Sequence, residues 1–162
     1  NGLKFSTIEN ALQINFEIPK YICESIERKL EKLGVEKAVL VCGLTYKPDV
    51  EDMRDSPGFK LLNEFKKRGF KVFSYDPYFK TELISKYLKE NELSSFEFEH
   101  KQELNDEDLK NISCICIVQH HTKSKFRLME IYEKSLVPLI YDCQNHFDKK
   151  SNSKTVLDSL GS

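Results

Sequence analysis

Apolar and polar positions fall in alternating blocks along the chain. Ala38–Cys42 (Ala-Val-Leu-Val-Cys) and Ile112–Val118 (Ile-Ser-Cys-Ile-Cys-Ile-Val) are nearly unbroken apolar runs. Runs of that length, without polar alternation, predict strands buried on both faces and hence central in a parallel sheet. Lys71–Tyr75 predicts a second strand ending at Asp76-Pro77, Ser95–Phe98 a short edge strand, and Leu136–Cys143 the last strand, with Pro138 tolerated near its start. Between them apolar residues recur at helical spacing. Phe59, Leu61, Leu62 and Phe65 follow Ser56-Pro57, an N-cap and a first helical residue, and Gly69 closes that helix. Residues 80–90 predict a helix with Leu83, Ile84, Tyr87 and Leu88 inward. Residues 106–111 predict a brief one capped by Asn105, and 127–133 another. Before the first strand, Ile8 and Leu12 form one apolar row, and Ile22, Ile26, Leu30 and Leu33 a second. Pro19 either separates two helices there or begins the second, and Gly34 ends it. Strands alternating with helices predict an α/β fold, a Rossmann-like open parallel sheet flanked by helices. From Lys149 the chain is rich in Lys, Ser and Asn, which predicts a mobile tail over 149–162.

Composition narrows the function classes. A chain of 162 residues suffices for one domain with an appended helix, and a formal net charge of -1 argues against general affinity for nucleic acid. No apolar segment reaches spanning length and no signal peptide is recognisable, so no membrane partner is expected and the cytoplasm is the default. The five cysteines read as reduced core residues, with Cys114 and Cys116 on one face of a strand. No CxxC pair suggests zinc. His120 and His121 are adjacent, so on an extended segment they point to opposite faces and do not readily share one metal ion.

Chemistry concentrates in the polar stretch Leu44–Asp55, between the first strand and its helix. Open α/β sheets bind ligands at the carboxyl ends of their strands. Tyr46 and Lys47 offer a ring and a point charge there, and Arg54 a rigid fork of donors able to pair with Asp52 or Asp55 and stiffen the loop. Asp49, Glu51, Asp52 and Asp55 lack calcium-loop spacing and read as solvated charges and partners for Arg54. Asp76 sits where a ribose-binding acid stands in dinucleotide folds, yet the first turn has a single Gly43 and no GxGxxG. Dinucleotide binding by this domain alone is therefore rejected, and Asp76 reads as a turn former and N-cap.

The string Gly-Leu-Thr-Tyr-Lys-Pro-Asp-Val-Glu-Asp-Met-Arg-Asp-Ser-Pro, from Gly43 to Pro57, closely resembles the C-terminal domain signature of the UDP-glucose/GDP-mannose dehydrogenase family. Its Tyr-Lys-Pro-Asp and Arg-Asp-Ser-Pro elements look most like the UDP-N-acetylmannosamine and UDP-N-acetylglucosamine 6-dehydrogenases. The resemblance implies that Tyr46 and Lys47 contact the substrate nucleotide and that Arg54 reaches across an interdomain cleft to NAD phosphates. It also bears on Asp142-Cys143-Gln144-Asn145: many family members have Asp-Gly-Arg-Asn there, with the arginine on the substrate. Gln144 can donate a hydrogen bond but cannot neutralise phosphate, and its presence leans toward an N-acetylhexosamine. Gln119, His120 and Phe126 fit loosely an acid-or-amide, His-or-Trp, then Phe pattern of the family.

Ala11, Asn15 and Pro19 match the late part of a long linker helix that builds the family's dimer interface, so 1–34 reads as the end of a linker and dimerisation helix, and 35–148 as the UDP-sugar-binding α/β domain. The opening at Asn1, with neither methionine nor cap, is expected to be a cut within a longer protein. The family oxidises the sugar C6 alcohol to a carboxylate with NAD, for polysaccharide biosynthesis. It uses a cysteine nucleophile in a Gly-Gly-Ser-Cys type loop, a Lys and an Asn of a central region, and a separate GxGxxG domain. None of these occurs in this sequence, so no catalytic residue is assigned, and NAD is expected to sit mainly on the missing N-terminal domain. The expectation is a substrate-binding domain that works with the missing N-terminal and central domains in a homodimer and catalyses nothing alone. The alternatives are a stand-alone α/β nucleotide-binding or dimerisation module, or a UDP-glucose or GDP-mannose 6-dehydrogenase domain.

Overall fold

The two apolar runs lie side by side at the centre of the sheet. The computed structural model describes residues 6–91, 98–148 and 153–161, with backbone alone for 6–16. Its elements in chain order are α1 (Ser6–Leu33), β1 (Ala38–Cys42), α2 (Pro57–Lys67), β2 (Lys71–Tyr75), α3 (Thr81–Glu90), β3 (Glu99–Lys101), α4 (Asp106–Leu109), β4 (Cys114–Ile117), α5 (Thr122–Glu133), β5 (Leu139–Asp142) and β6 (Val156–Ser159). All pairings are parallel, in the order β3-β2-β1-β4-β5-β6. Every residue of β1, β4 and β5 is buried, as strands covered on both faces must be.

Period-two alternation divides these strands between two cores. Val39, Val41, Cys114, Cys116, Leu139 and Tyr141 pack with α1, α2 and α3. Leu40, Cys42, Ile115, Ile117 and Ile140 pack with α4 and α5. The expectation that Cys114 and Cys116 share a face holds. The fold is α/β and Rossmann-like, as expected.

The chain runs outward from β1 through β2 to β3, then returns to β4 on the other side. The switch point of the sheet therefore lies between β1 and β4. Register aligns the carboxyl ends: Tyr75 beside Cys42, Cys42 beside Ile117, Ile117 beside Asp142. The loops leaving these strands thus share one rim. Two glycines bring the loops into contact. Gly43 has φ +90°, and an added Cβ would lie 2.6 Å from the Gln119 Cβ. A Cβ on Gly58, in the first turn of α2, would lie 2.6 Å from the Gly43 carbonyl oxygen. Ser56 caps α2 by accepting from the Gly58 N–H, and Pro57 opens the helix, as the sequence predicts.

Several expectations need correction. Helix α1 runs unbroken through Pro19. The missing N–H costs one helical bond, and the buried ring is held by packing instead. Ile22, Cys23, Ile26 and Leu30 of α1 belong to the core, and Arg68 at the end of α2 reaches Glu24 at 2.9 Å and Glu27 at 3.2 Å. Leu83 faces outward, 49% exposed, because one α3 face with Ile84 and Leu88 suffices to cover the sheet. Leu139–Asp142 is followed by a further strand: within the expected mobile tail, Val156–Ser159 pairs with β5. Backbone pairing outweighs its polar composition there. Asp76 is not a helix cap, since α3 begins after Lys80. Residues 95–97 of the expected edge strand, and 149–152 of the tail, lie outside the described residues; the edge strand described is Glu99–Lys101.

Gly43→Ala combines a left-handed backbone with a steric clash, so it is expected to cost about 3 kcal/mol in urea unfolding. Gly34→Ala, at φ +67° with nothing within 4 Å of the added Cβ, should cost only about 1 kcal/mol. Equal losses would mean that the β1–β4 close approach does not matter.

Candidate functional site: the crevice above β1 and β4

The rim is held by a buried carboxylate. Asp76, at the end of β2, is fully buried and accepts from the Leu44 N–H at 2.7 Å and the Tyr78 N–H at 2.9 Å. The third donor is His121, whose Nε2 lies 3.1 Å from Asp76 Oδ2. The other ring nitrogen fixes the tautomer: His121 Nδ1 accepts the Asp49 N–H at 3.0 Å, so the proton sits on Nε2. Thr45 donates its hydroxyl to the Lys47 carbonyl at 2.7 Å, and its oxygen lies 3.4 Å from the same Nε2.

The segment Leu44–Asp49 is therefore pinned at both ends to β2 and to the start of α5. Asp49 adds a second clamp. Its backbone is left-handed, at φ 58°. Its carboxylate accepts from the Thr122 N–H at 2.8 Å, the Thr122 hydroxyl at 2.6 Å and the Tyr78 hydroxyl at 2.9 Å. Helix α5 has no side-chain cap of its own at His121, so Asp49 caps it from another loop. The Thr122 hydrogen bonds hold the Asp49 carboxyl below its usual range. Asp49 is thus a structural clamp and not the solvated charge expected of it.

Tyr46 and Lys47 project from this pinned segment. Tyr46 is 55% exposed, and Lys47 Nζ lies 5.8 Å from the centroid of its ring. Lys47 forms no ion pair among the described residues and stands exposed. Gln119, at the end of β4, joins the segment to the β5 loop. Its amide donates to the Tyr46 carbonyl at 3.1 Å, and its carbonyl accepts from Gln144 Nε2 at 2.9 Å. Gln119 thus links the backbone of Tyr46 to the side chain of Gln144 at the switch point. Arg54 stands apart. It grips Asp52 with Nε at 2.9 Å and Nη2 at 2.7 Å, which brings the Asp52 carboxyl down to about 2.

A second carboxylate supports the far wall. Asp142 is buried at the end of β5 and accepts from the backbone N–H groups of Gln144 (3.0 Å), His146 (2.6 Å) and Phe147 (3.0 Å). His120 Nε2 lies 2.7 Å away. Burial pushes the Asp142 carboxyl up, but His120 and these donors outweigh it and leave it below its ordinary value. The two histidines serve different carboxylates, and among the described residues no group of three or more His, Cys, Asp or Glu could hold a metal. Sequence reasoning set Gln119 beside a loose family pattern without giving it a role, and missed His121 and Asp49 as parts of the site.

A family model for the UDP-glucose/GDP-mannose dehydrogenase family, UDP binding domain, matches residues 40–149. A UDP-N-acetyl-D-mannosamine dehydrogenase of Methanococcus vannielii is 32% identical over 151 residues, covering 90% of this chain and 31% of the relative. One from Methanococcus maripaludis is 31% identical over 150 residues, with the same shares covered. The chain thus spans about a third of the length of these relatives. Among solved structures, a UDP-D-ManNAc dehydrogenase from Pyrococcus horikoshii superposes with TM-score 0.70 at 21% identity, over 98% of this chain and 34% of that one. A UDP-glucose dehydrogenase from Pyrobaculum islandicum gives 0.66 at 20% identity, over 97% and 32%. These two likenesses establish the fold.

Because the folded Asp142 carboxyl is depressed, its contribution to stability is complete above the unfolded value near ~4 and is lost as pH falls through the folded one. Comparing wild type with Asp142→Asn by denaturant unfolding, the gap between them should be widest above about pH 4 and shrink at lower pH. A gap independent of pH would remove Asp142 as an ionised anchor.

Proposed function

The chain belongs to the UDP-glucose/GDP-mannose dehydrogenase family, and from that membership we propose that it holds the diphosphate of a UDP-sugar in the crevice above β1 and β4. The observation that carries this reading is Lys47, exposed and without an ion pair among the described residues, on a segment pinned at both ends. A phosphate site needs a cation and fixed donors, and a pinned loop loses little entropy on binding. Tyr46 supplies an amphipathic ring at the mouth. Gln144 donates a neutral hydrogen bond, which suits a sugar hydroxyl or acetamido oxygen better than a phosphate charge. The leaning toward an N-acetylhexosamine rests on that chemistry and on the mannosamine relatives.

The proposal extends to a whole enzyme: an NAD-dependent UDP-N-acetylhexosamine 6-dehydrogenase of the cytoplasm, serving polysaccharide biosynthesis. NAD and the reacting cysteine belong to N-terminal and central domains with no counterpart in this sequence. Arg54 is assigned to the NAD phosphates. Its pair with Asp52 is solvent-exposed, and such pairs are worth little in water. A phosphate presented across a cleft can therefore take the guanidinium from Asp52. Helix α1 is assigned to the linker and dimerisation surface, with its later part also packed on the sheet of the binding domain.

Calorimetry with UDP is expected to show binding by this chain, weakened about tenfold or more by Lys47→Ala. An unchanged isotherm would remove Lys47 from the site. Oxidation of a UDP-sugar by this chain alone with NAD would place the chemistry elsewhere than proposed.

A further inference from the structure

Two sulfurs lie side by side beneath the rim. Cys116 in β4 and Cys143, the first residue after β5, have Sγ atoms 3.8 Å apart, although 27 positions separate them in the chain. Both belong to the core that α1, α2 and α3 cover. Register explains the meeting. Cys116 stands opposite Tyr141, and the β5 face that carries Leu139 and Tyr141 continues to Cys143. The Cys143 N–H bonds the Ile117 carbonyl at 3.0 Å, which keeps the turn after β5 against β4.

The two thiols differ in access. Cys116 is fully buried, whereas Cys143 is half-buried. The hydrogen bond with Cys143 and burial push the Cys116 thiol up. Burial does the same to Cys23, Cys42 and Cys114. A buried, protonated thiol is inert toward an oxidant in solution. Cys143 is therefore the sulfur that such an oxidant reaches, and a second thiol already stands in contact with it. Beyond the end of β5, Cys143 sits in a turn, where its side chain and backbone have more room to adjust than within the ladder.

We propose that Cys116 and Cys143 are a redox pair that a hydroperoxide closes into a disulfide, tying the turn that carries Gln144 to β4. In the first step the Cys143 sulfur attacks the peroxide. An S–O bond forms, the O–O bond breaks and an alcohol or water leaves, so Cys143 becomes a sulfenic acid. In the second step the Cys116 sulfur attacks the Cys143 sulfur. The S–S bond forms, the S–O bond breaks, and the Cys116 proton departs with the hydroxyl as water. The two thiols together lose two electrons and the peroxide gains them. The sulfurs close from 3.8 Å to the bonded length of about 2 Å by rotation at Cys143 and adjustment of its turn. A small thiol reverses the bridge by exchange. The pair is independent of UDP binding, and its chemistry holds whatever the crevice binds.

The test treats the folded chain with hydrogen peroxide, blocks the remaining thiols by alkylation after unfolding, and maps the peptides by mass spectrometry. The expected product is a pair of peptides joined through Cys116 and Cys143, lighter by two hydrogens and reopened by dithiothreitol, with Cys23, Cys42 and Cys114 still alkylated. This wild-type map decides the matter even where a variant fails to fold. In Cys116→Ala the Cys143 sulfenic acid has no partner and should be trapped by dimedone. In Cys143→Ser, Cys116 should remain a thiol under the same treatment. Cys143 recovered from wild type as a free thiol, as a sulfinic acid or joined to Cys23 would overturn the proposal, and so would oxidation of Cys116 in Cys143→Ser.

Discussion

The rim of the sheet depends on the carboxylate of Asp76. A charge buried this deeply is tolerated only when donors replace its water, and an orphaned one would disrupt the fold or lose its ionisation. Here the donors come from three separate segments: Leu44 after β1, Tyr78 after β2, and His121 at the start of α5. Solvating the anion therefore means bringing three chain segments to one point. His121 then passes the constraint onward, because with its proton on Nε2 the free Nδ1 must find a donor, and it finds the Asp49 N–H. A single buried group thus fixes both ends of the segment that carries Tyr46 and Lys47.

Close packing makes that arrangement stiff. Gly43 lets β1 turn sharply against Gln119, and Gly58 lets α2 approach the same turn. Asp49 keeps a left-handed backbone because its side chain and its N–H are both occupied. The far wall repeats the device with Asp142 and His120. Two buried aspartates, each served by one of two adjacent histidines, frame the crevice from opposite sides. Adjacent in sequence, the two imidazoles thus pair with different carboxylates.

What the sequence made legible was local. The central strands, Ser56 as cap, Gly69 as helix stop and Asn105 as the cap of α4 all follow from periodicity or from a few neighbouring residues. The resemblance carried by Gly43–Pro57 pointed to the family whose model matches residues 40–149. The architecture of the site was not legible, because its bonds join distant residues. Asp76 meets Leu44 across 32 positions and His121 across 45, while Asp49 meets His121 across 72. Nothing in the neighbourhood of Asp49 distinguishes it from the other acids of its loop. Strand β6 was hidden for a related reason: Val-Leu-Asp-Ser has no alternation that signals a strand, and its order comes from the backbone of β5. Pro19 misled in the opposite direction, since a rule about isolated helices yielded to tertiary packing.

The central claim is that the segment proposed to meet the nucleotide, Leu44–Asp49, is already in place before any ligand arrives. Amide hydrogen exchange on the ligand-free chain tests it most directly. Leu44 and Asp49, whose N–H groups are held by Asp76 and His121, should both be strongly protected, and UDP should add little to either. Exchange at both amides near the rate of an unstructured chain, with protection appearing only when UDP is added, would contradict it.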